Sequence, residues 1–239
     1  MGSAGGSLLP RLLGCFNWDS IAWESLAMKK VFCLLALVLL VTGASCFAET
    51  PLADGWISLF DGQTLKGWKA SENPQQWKVD DGRIVAAGPR SHLFYVGDDE
   101  SHPAEFQNFH FKADVMTMPR SNSGIYFHTK FQETGFPQIG FEAQVNNSHG
   151  DPVKTASIYH IVKNYVPPCN DNYWFTEEII VKGKNIRTLV NGKIICDYTE
   201  PEGVTGPMEK IDKGTFAFQA HDPGSTTYYK NILVKRDPK

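Results

Sequence analysis

The chain has 239 residues, 42% of them hydrophobic and 21% charged, which excludes a disordered tail or a multi-span membrane protein and suffices for one large domain. A net charge of −3 offers no basic face for nucleic acid, and five cysteines are too few to frame a disulfide-rich mini-domain. Glycine (21) and proline (14) punctuate the chain often enough to predict many short elements, hence a β-rich fold.

Lys29 and Lys30 precede an unbroken apolar run, Val31 to Val41, followed by small residues Thr42 to Ser45. Those are the parts of a secretory signal peptide, and eleven apolar residues are too few to cross a bilayer as a helix. Cleavage is expected after Ala48, so 28–48 reads as the signal and 49–239 as one domain. Lipid anchoring at Cys46 is the weaker alternative, because no branched apolar residue stands three positions before it. Met28 is the better start for such a signal, and 1–27 reads as an extension from a start codon called too early. The other reading is a cytoplasmic extension ahead of a signal anchor. Export to the periplasm or beyond leaves Cys169 and Cys196 as the thiols available for one disulfide.

Strands are expected along the rest. Trp77 to Val85 with Asp81-Gly82 at its centre is a hairpin signal, because Asp-Gly supplies the positive φ angles of a tight turn. Phe109, Phe111, Ala113 and Val115 alternate with polar residues, as in a half-buried strand. Strands are also expected over Ser123 to Lys130 and Phe141 to Asn147. Asn191-Gly192 marks a second hairpin between Ile186 to Val190 and Lys193 to Tyr198. Gly214 to Ala220 and Tyr228 to Val234 complete the set. No window holds an apolar stripe of helical period over three turns. Many short strands without helices imply a sandwich or jelly roll.

Two strands have unusual polar faces. Period-two geometry puts Tyr126, His128 and Lys130 on one side of the first and Glu142, Gln144 and Asn146 on one side of the second. If the strands are neighbours, that face is a hydrogen-bonding floor suited to a sugar, although any half-exposed antiparallel strand is polar on its outer side. Of seven histidines, His128, His160 and His221 fall on or beside expected strands, and His92, His102 and His149 lie in loop-like sequence. HExxH, paired CxxC, GxSxG, Walker A, GxGxxG and the EF-hand loop are all missing, which argues against zincin proteases, nucleotide enzymes and α/β-hydrolases. Asn146-Asn147-Ser148 is a short match to a glycosylation acceptor.

Five segments in order carry a resemblance. Gly55-Trp-Ile-Ser-Leu-Phe-Asp-Gly with Gly67-Trp68, Ser121-Asn-Ser-Gly-Ile-Tyr-Phe, Gly140-Phe-Glu-Ala-Gln-Val, the Trp174 to Val190 stretch with Asn191-Gly192, and Gln219-Ala-His221-Asp222-Pro-Gly with Tyr229-Lys-Asn231-Ile resemble the 3-keto-disaccharide hydrolase domain family from Gly55 to about Asp237. The chain departs at His128, where many members carry Arg, and at Phe141, where Tyr is commoner. The resemblance implies an all-β, concanavalin A-like jelly roll of two antiparallel sheets, exported in bacteria and acting on glycosides already oxidised at C3. A C3 ketone acidifies the C2 hydrogen, so a base removes that proton and the C1 substituent leaves. Water adding back gives net hydrolysis; stopping early gives a lyase product. This needs a base, an acid and a stabiliser of the enolate, not the two carboxylates of ordinary glycosidases.

On the matched positions, Glu142 and His221 are the leading proton-transfer candidates and His128 a third. Tyr126, Gln144 and Lys163 are candidates for binding hydroxyls or the enolate. Asp222 is placed to orient His221 or help hold a divalent cation, the one cofactor the chemistry invites. The bland alternatives are that Glu142 pairs with a lysine and that His221 and Asp222 cap a turn before Pro223-Gly224. The competing class is a non-catalytic carbohydrate-binding module, since this sandwich is also a lectin scaffold.

Overall fold

The computed structural model of the protein describes residues 53–97 and 104–237. The expected signal peptide, Cys46, the extension 1–27 and His102 lie outside the described residues. Thirteen strands follow in chain order: β1 Trp56–Ser58, β2 Trp68–Ala70, β3 Trp77–Asp80, β4 Arg83–Ala87, β5 Ser91–Tyr95, β6 Phe109–Thr117, β7 Ser123–Thr129, β8 Phe141–Val145, β9 Phe175–Lys182, β10 Asn185–Val190, β11 Lys193–Thr199, β12 Thr215–Ala220 and β13 Thr226–Arg236. They form two antiparallel sheets, as expected for the jelly roll. One runs β11-β10-β9-β6-β13-β4-β3, with β1 also on β13, and the other runs β2-β5-β12-β7-β8.

Both hairpin signals hold for the reason given. Asp81 and Gly82 have φ of 50° and 71° between β3 and β4, and Asn191 and Gly192 have φ of 50° and 77° between β10 and β11. In β6 the alternation is complete, with Phe109, Phe111, Ala113 and Val115 buried against the second sheet. Aromatic rings fill the space between sheets. Phe218 is sandwiched between Trp68 and Tyr229 at ring-centroid distances of 5.0 and 4.1 Å, and Phe216 packs on Phe106, Phe109 and Phe111. Each such pair adds roughly 0.5–1.5 kcal/mol beyond the area it buries. The indole N–H groups donate to Leu59 O from Trp68 (2.6 Å) and to Ser91 Oγ from Trp77 (2.8 Å), so these large rings bury without orphaned donors.

Several local expectations are corrected. His128 does not share a face with Tyr126. Its φ is 54°, the pairing with β12 shifts register beside it, and its ring turns among Phe109, Phe127 and Phe141 while Nε2 lies 2.8 Å from Gln107 O. A bulge inserts a residue and so inverts the alternation that follows. β8 ends at Val145, because Asn146 leaves the ladder to donate from Nδ2 to Asp151 O and Val153 O. That same amide, fully buried, is the acceptor position of the glycosylation match and is not available in the folded chain. Cys169 and Cys196 are both free thiols. His92, expected in a loop, lies in β5, where every residue is buried.

Gly140 opens β8 with φ 85°, and a Cβ there would stand 2.3 Å from the backbone oxygen of Phe127. Neither the angle nor the backbone neighbour can yield cheaply. Gly140→Ala is therefore expected to cost about 3 kcal/mol of unfolding free energy, read as a lowered denaturant midpoint at unchanged m-value.

Candidate active site

The five-stranded sheet turns one face to the core and the other to a cleft. Cross-strand register builds the cleft floor. Phe94 stands opposite Ala217, Ala217 opposite Tyr126 and Tyr126 opposite Glu142, while His92 faces Gln219 on the neighbouring strand pair. Gly124, opposite Gln144, contributes no side chain, and the Glu142 carboxyl occupies that gap: a Cβ at Gly124 would stand 2.1 Å from Glu142 Oε1. From there the carboxyl reaches Gln219, whose Nε2 donates to Glu142 Oε1 (3.2 Å) and to the Tyr126 hydroxyl (3.0 Å).

Burial dominates the electrostatics. Desolvation pushes the Glu142 carboxyl up to about 8; hydrogen bonds from Tyr126 and Gln219 oppose this and the negative Asp151 adds to it. A value near 8 leaves Glu142 mostly a carboxylic acid at neutral pH. Tyr159 is pushed up to about 12 by burial and by its bond to Asp151 Oδ2 (3.1 Å). Asp222 behaves oppositely. Burial raises its pKa, but bonds from Ser225 Oγ, His221 and the Gly224 N–H outweigh that and hold it below its ordinary value. His221 Nδ1 lies 2.9 Å from Asp222 Oδ2, so the carboxylate sets the tautomer and leaves Nε2 as the working nitrogen. His149 Nε2 stands 3.8 Å from the same oxygen.

The cleft encloses about 290 Å³. One wall is Phe136 and Pro137 from the β7–β8 connection; the other combines Tyr159 and His160 with Met208 and Glu209. His160 Nδ1 pairs with Glu209 Oε1 at 2.9 Å on the rim. Four sequence candidates, Tyr126, Glu142, Gln144 and His221, line this one space, with Asp222 directly behind His221. His128 and Lys163 are not among its lining residues: His128 is turned into the core by its bulge and Lys163 is exposed in a loop. Glu142 pairs with Tyr126 and Gln219 rather than with a lysine.

Gln219 is legible too, since it stands on β12 two residues before His221 and shares its side of the sheet. Tyr159, Met208 and Glu209 come from irregular loops that no periodicity reaches, and His160, expected beside a strand, lies in such a loop too. As for a cation, the oxygens of Asp222 are committed to Ser225, Gly224 and His221, and no group of three or more His, Cys, Asp or Glu is placed to hold a metal among the described residues. The residues around Asp222 do not form a cation site.

Residues 55–235 match the family model described as the 3-keto-alpha-glucoside-1,2-lyase-like domain. The chain belongs to that family. A 3-keto-disaccharide hydrolase from Bacteroides thetaiotaomicron is 32% identical over 80 residues, a match spanning 31% of this chain and 28% of that protein. The chain therefore matches little more than a quarter of that relative's length. Among solved structures, a candidate glycosyl hydrolase from Parabacteroides distasonis superposes with a TM-score of 0.65 at 23% identity, covering 80% of this chain and 98% of that one. The carbohydrate-binding module CBM66 from Bacillus subtilis superposes with a TM-score of 0.52 at 13% identity, covering 72% and 98%. Both structures share the fold with this family member.

Two outcomes are expected from the placement of Glu142. Gly124→Ala should cost about 1–3 kcal/mol in stability, because Glu142 from Cγ outward stands within 3 Å of the new Cβ and must swing away from Tyr126 and Gln219. It should also lower turnover about 100-fold by displacing the carboxyl, as steady-state kinetics and thermal melts on one preparation will show. The raised folded pKa means the proton on Glu142 stabilises the native state fully below about 4.5 and progressively less up to about 8. Thermal melts of Glu142→Gln should therefore gain on wild type as pH rises from 5 to 8.5; parallel curves would contradict the shift.

Proposed function

We propose that this domain cleaves 3-keto-glycosides by elimination across C1 and C2. The observation that supports it is the pairing, in one cleft of a member of this family, of a protonated carboxyl at Glu142 with a carboxylate-oriented imidazole at His221. His221 Nε2 takes the C2 proton, made acidic by the adjacent C3 ketone. As the C1–oxygen bond breaks, its electron pair leaves with the aglycone oxygen, which receives the proton of Glu142. The product is an enone with a C1–C2 double bond conjugated to the ketone. Water adding its hydroxyl to C1 and its proton to C2 yields the free 3-keto-sugar, so hydrolase and lyase outcomes share the first step.

Each supporting residue has a physical part. Asp222 stabilises the imidazolium formed when His221 takes the proton. Tyr126 and Gln219 hold the Glu142 carboxyl over Gly124. Phe136 and Tyr159 offer aromatic walls to the C–H faces of a sugar. The reading includes export by the segment 28–48, which places the enzyme where glycosides oxidised outside the cytoplasm arrive.

Incubating the purified domain with 3-keto-glucosides and their unoxidised parents, followed by NMR, tests this. Aglycone release from the 3-keto compounds alone is the expected result, and a transient vinylic signal identifies elimination; saturable binding without any product would make the domain a carbohydrate-binding module. Turnover should fall as pH rises through about 8, where Glu142 loses its proton. Glu142→Gln should slow alkyl 3-keto-glucosides about 10²–10⁴-fold but 4-nitrophenyl 3-keto-glucoside far less, since that leaving group needs no acid. Equal losses on both would remove Glu142 from the acid role.

A further inference from the structure

Beside the cleft sits a histidine that the scheme above does not use. His92 is 0% exposed, and neither ring nitrogen has a hydrogen-bond partner. The Oε1 of Gln219, its cross-strand neighbour, is likewise buried and unpartnered. Cross-strand partners project from the same face of a sheet, so His92 shares the cleft face with Gln219, which lines the cleft, although His92 itself does not. The imidazole lies edge-on to Tyr126 at 5.3 Å and to Phe136 at 5.7 Å between ring centroids. Tyr126, Phe136 and Gln219 all line the cleft, and Phe136 is 40% exposed. The histidine is therefore separated from the cleft by a ring that already faces solvent and can turn on its own side-chain bonds.

Leaving such groups unpaired costs free energy, and the rest of this strand does not tolerate it. The His92 backbone N–H donates to Ser71 Oγ and the neighbouring Ser91 Oγ accepts from Trp77. The unpaired set is chemically specific. A neutral imidazole has one N–H donor and one acceptor nitrogen, and the amide oxygen is a second acceptor. Burial first, then the positive charge of Arg90, lowers the His92 pKa to about 3, against a smaller opposing effect of Glu72; the ring thus keeps this neutral inventory at working pH.

We propose that His92 and Gln219, roofed by Phe136, form a concealed subsite of the cleft that receives two adjacent oxygens of the sugar, the C3 carbonyl and a neighbouring hydroxyl. The proposal rests on the reading of the domain as a 3-keto-glycoside enzyme. The His92 N–H donates to the carbonyl oxygen, and Gln219 Oε1 accepts from the hydroxyl. Because Gln219 also holds Glu142 through its Nε2, the hydroxyl and the acid are located by one side chain. As the C2 proton leaves, negative charge collects on the carbonyl oxygen, and a fixed N–H donor in a dry site is suited to stabilise it.

The test combines His92→Phe, which keeps a ring in the aromatic cluster and removes both nitrogens, with long-range 15N–1H spectra of the wild-type histidine rings. The probes are methyl 3-keto-α-glucoside and its parent. The signals missing from His92→Phe identify His92, and they should move on saturation with the keto sugar. His92→Phe should melt at or above the wild-type temperature, yet show a KM raised about tenfold and a reduced kcat on the keto substrate. Unmoved His92 signals at saturation, or a variant with wild-type KM and kcat, would overturn the subsite while leaving the proposed reaction standing. If the wild type turns over neither sugar but the His92 signals still shift with the keto compound, the subsite stands and the reaction falls.

Discussion

Keeping a carboxyl group dry, yet in reach of a ligand, is the constraint on which the cleft depends. An ionised carboxylate loses several kcal/mol of hydration when buried, so the protein either pairs it with a cation or lets it stay protonated. At Glu142 the second solution is used. Tyr126 and Gln219 are neutral partners that orient the group without supplying a charge to ionise it, and Gly124 leaves the room it needs. The register of β7 against β8 and β12 brings these four residues together.

Burial alone does not make a site, and the same molecule contains the comparison. Glu177 points inward from β9 between the two sheets, and desolvation pushes its pKa well above the ordinary value, a contact with the Ala156 backbone only partly offsetting this. It shares with Glu142 the upward shift but is not among the residues lining the cleft. What separates the two is position: Glu142 sits on the sheet face that loops cover incompletely, and Glu177 on the inner face of its own sheet, fully buried. Asp222 marks the opposite extreme, kept charged by three donors so that it can hold the imidazole of His221.

Much of this was legible in the residues because it is local. Asp81-Gly82 and Asn191-Gly192 specify tight turns through their own backbone preferences, and the β6 alternation follows from one buried face. The polar floor of β7 and β8 was visible as a period-two pattern. Legibility stopped where one element overrides another. Counting in twos puts His128 on the floor, and a bulge opposite β12 turns it away. His92 read as loop because Pro89 and Arg90 precede a strand only five residues long, both faces of which are covered by distant segments. The loop carrying Phe131 and Phe136 supplies that cover, with Phe131 packed on Phe94 at 5.3 Å and Gly135 anchored by its N–H to Glu72 Oε1 at 3.0 Å. No window of the sequence announces such an encounter.

β13 has a consequence for how the domain is made. This last strand pairs with β6 along one edge; on the other, its first half takes β4 and its second half takes β1, with a break in register between Lys230 and Leu233. Until β13 is in place, β1 has no ladder partner, and β4 and β6, paired on one side with β3 and β9, each keep the other edge open. A chain emerging from its N-terminus presents an open edge on each of β1, β4 and β6 until β13 has been made. Closure of that sheet is a late, long-range event, and high contact order of this kind makes for slow folding.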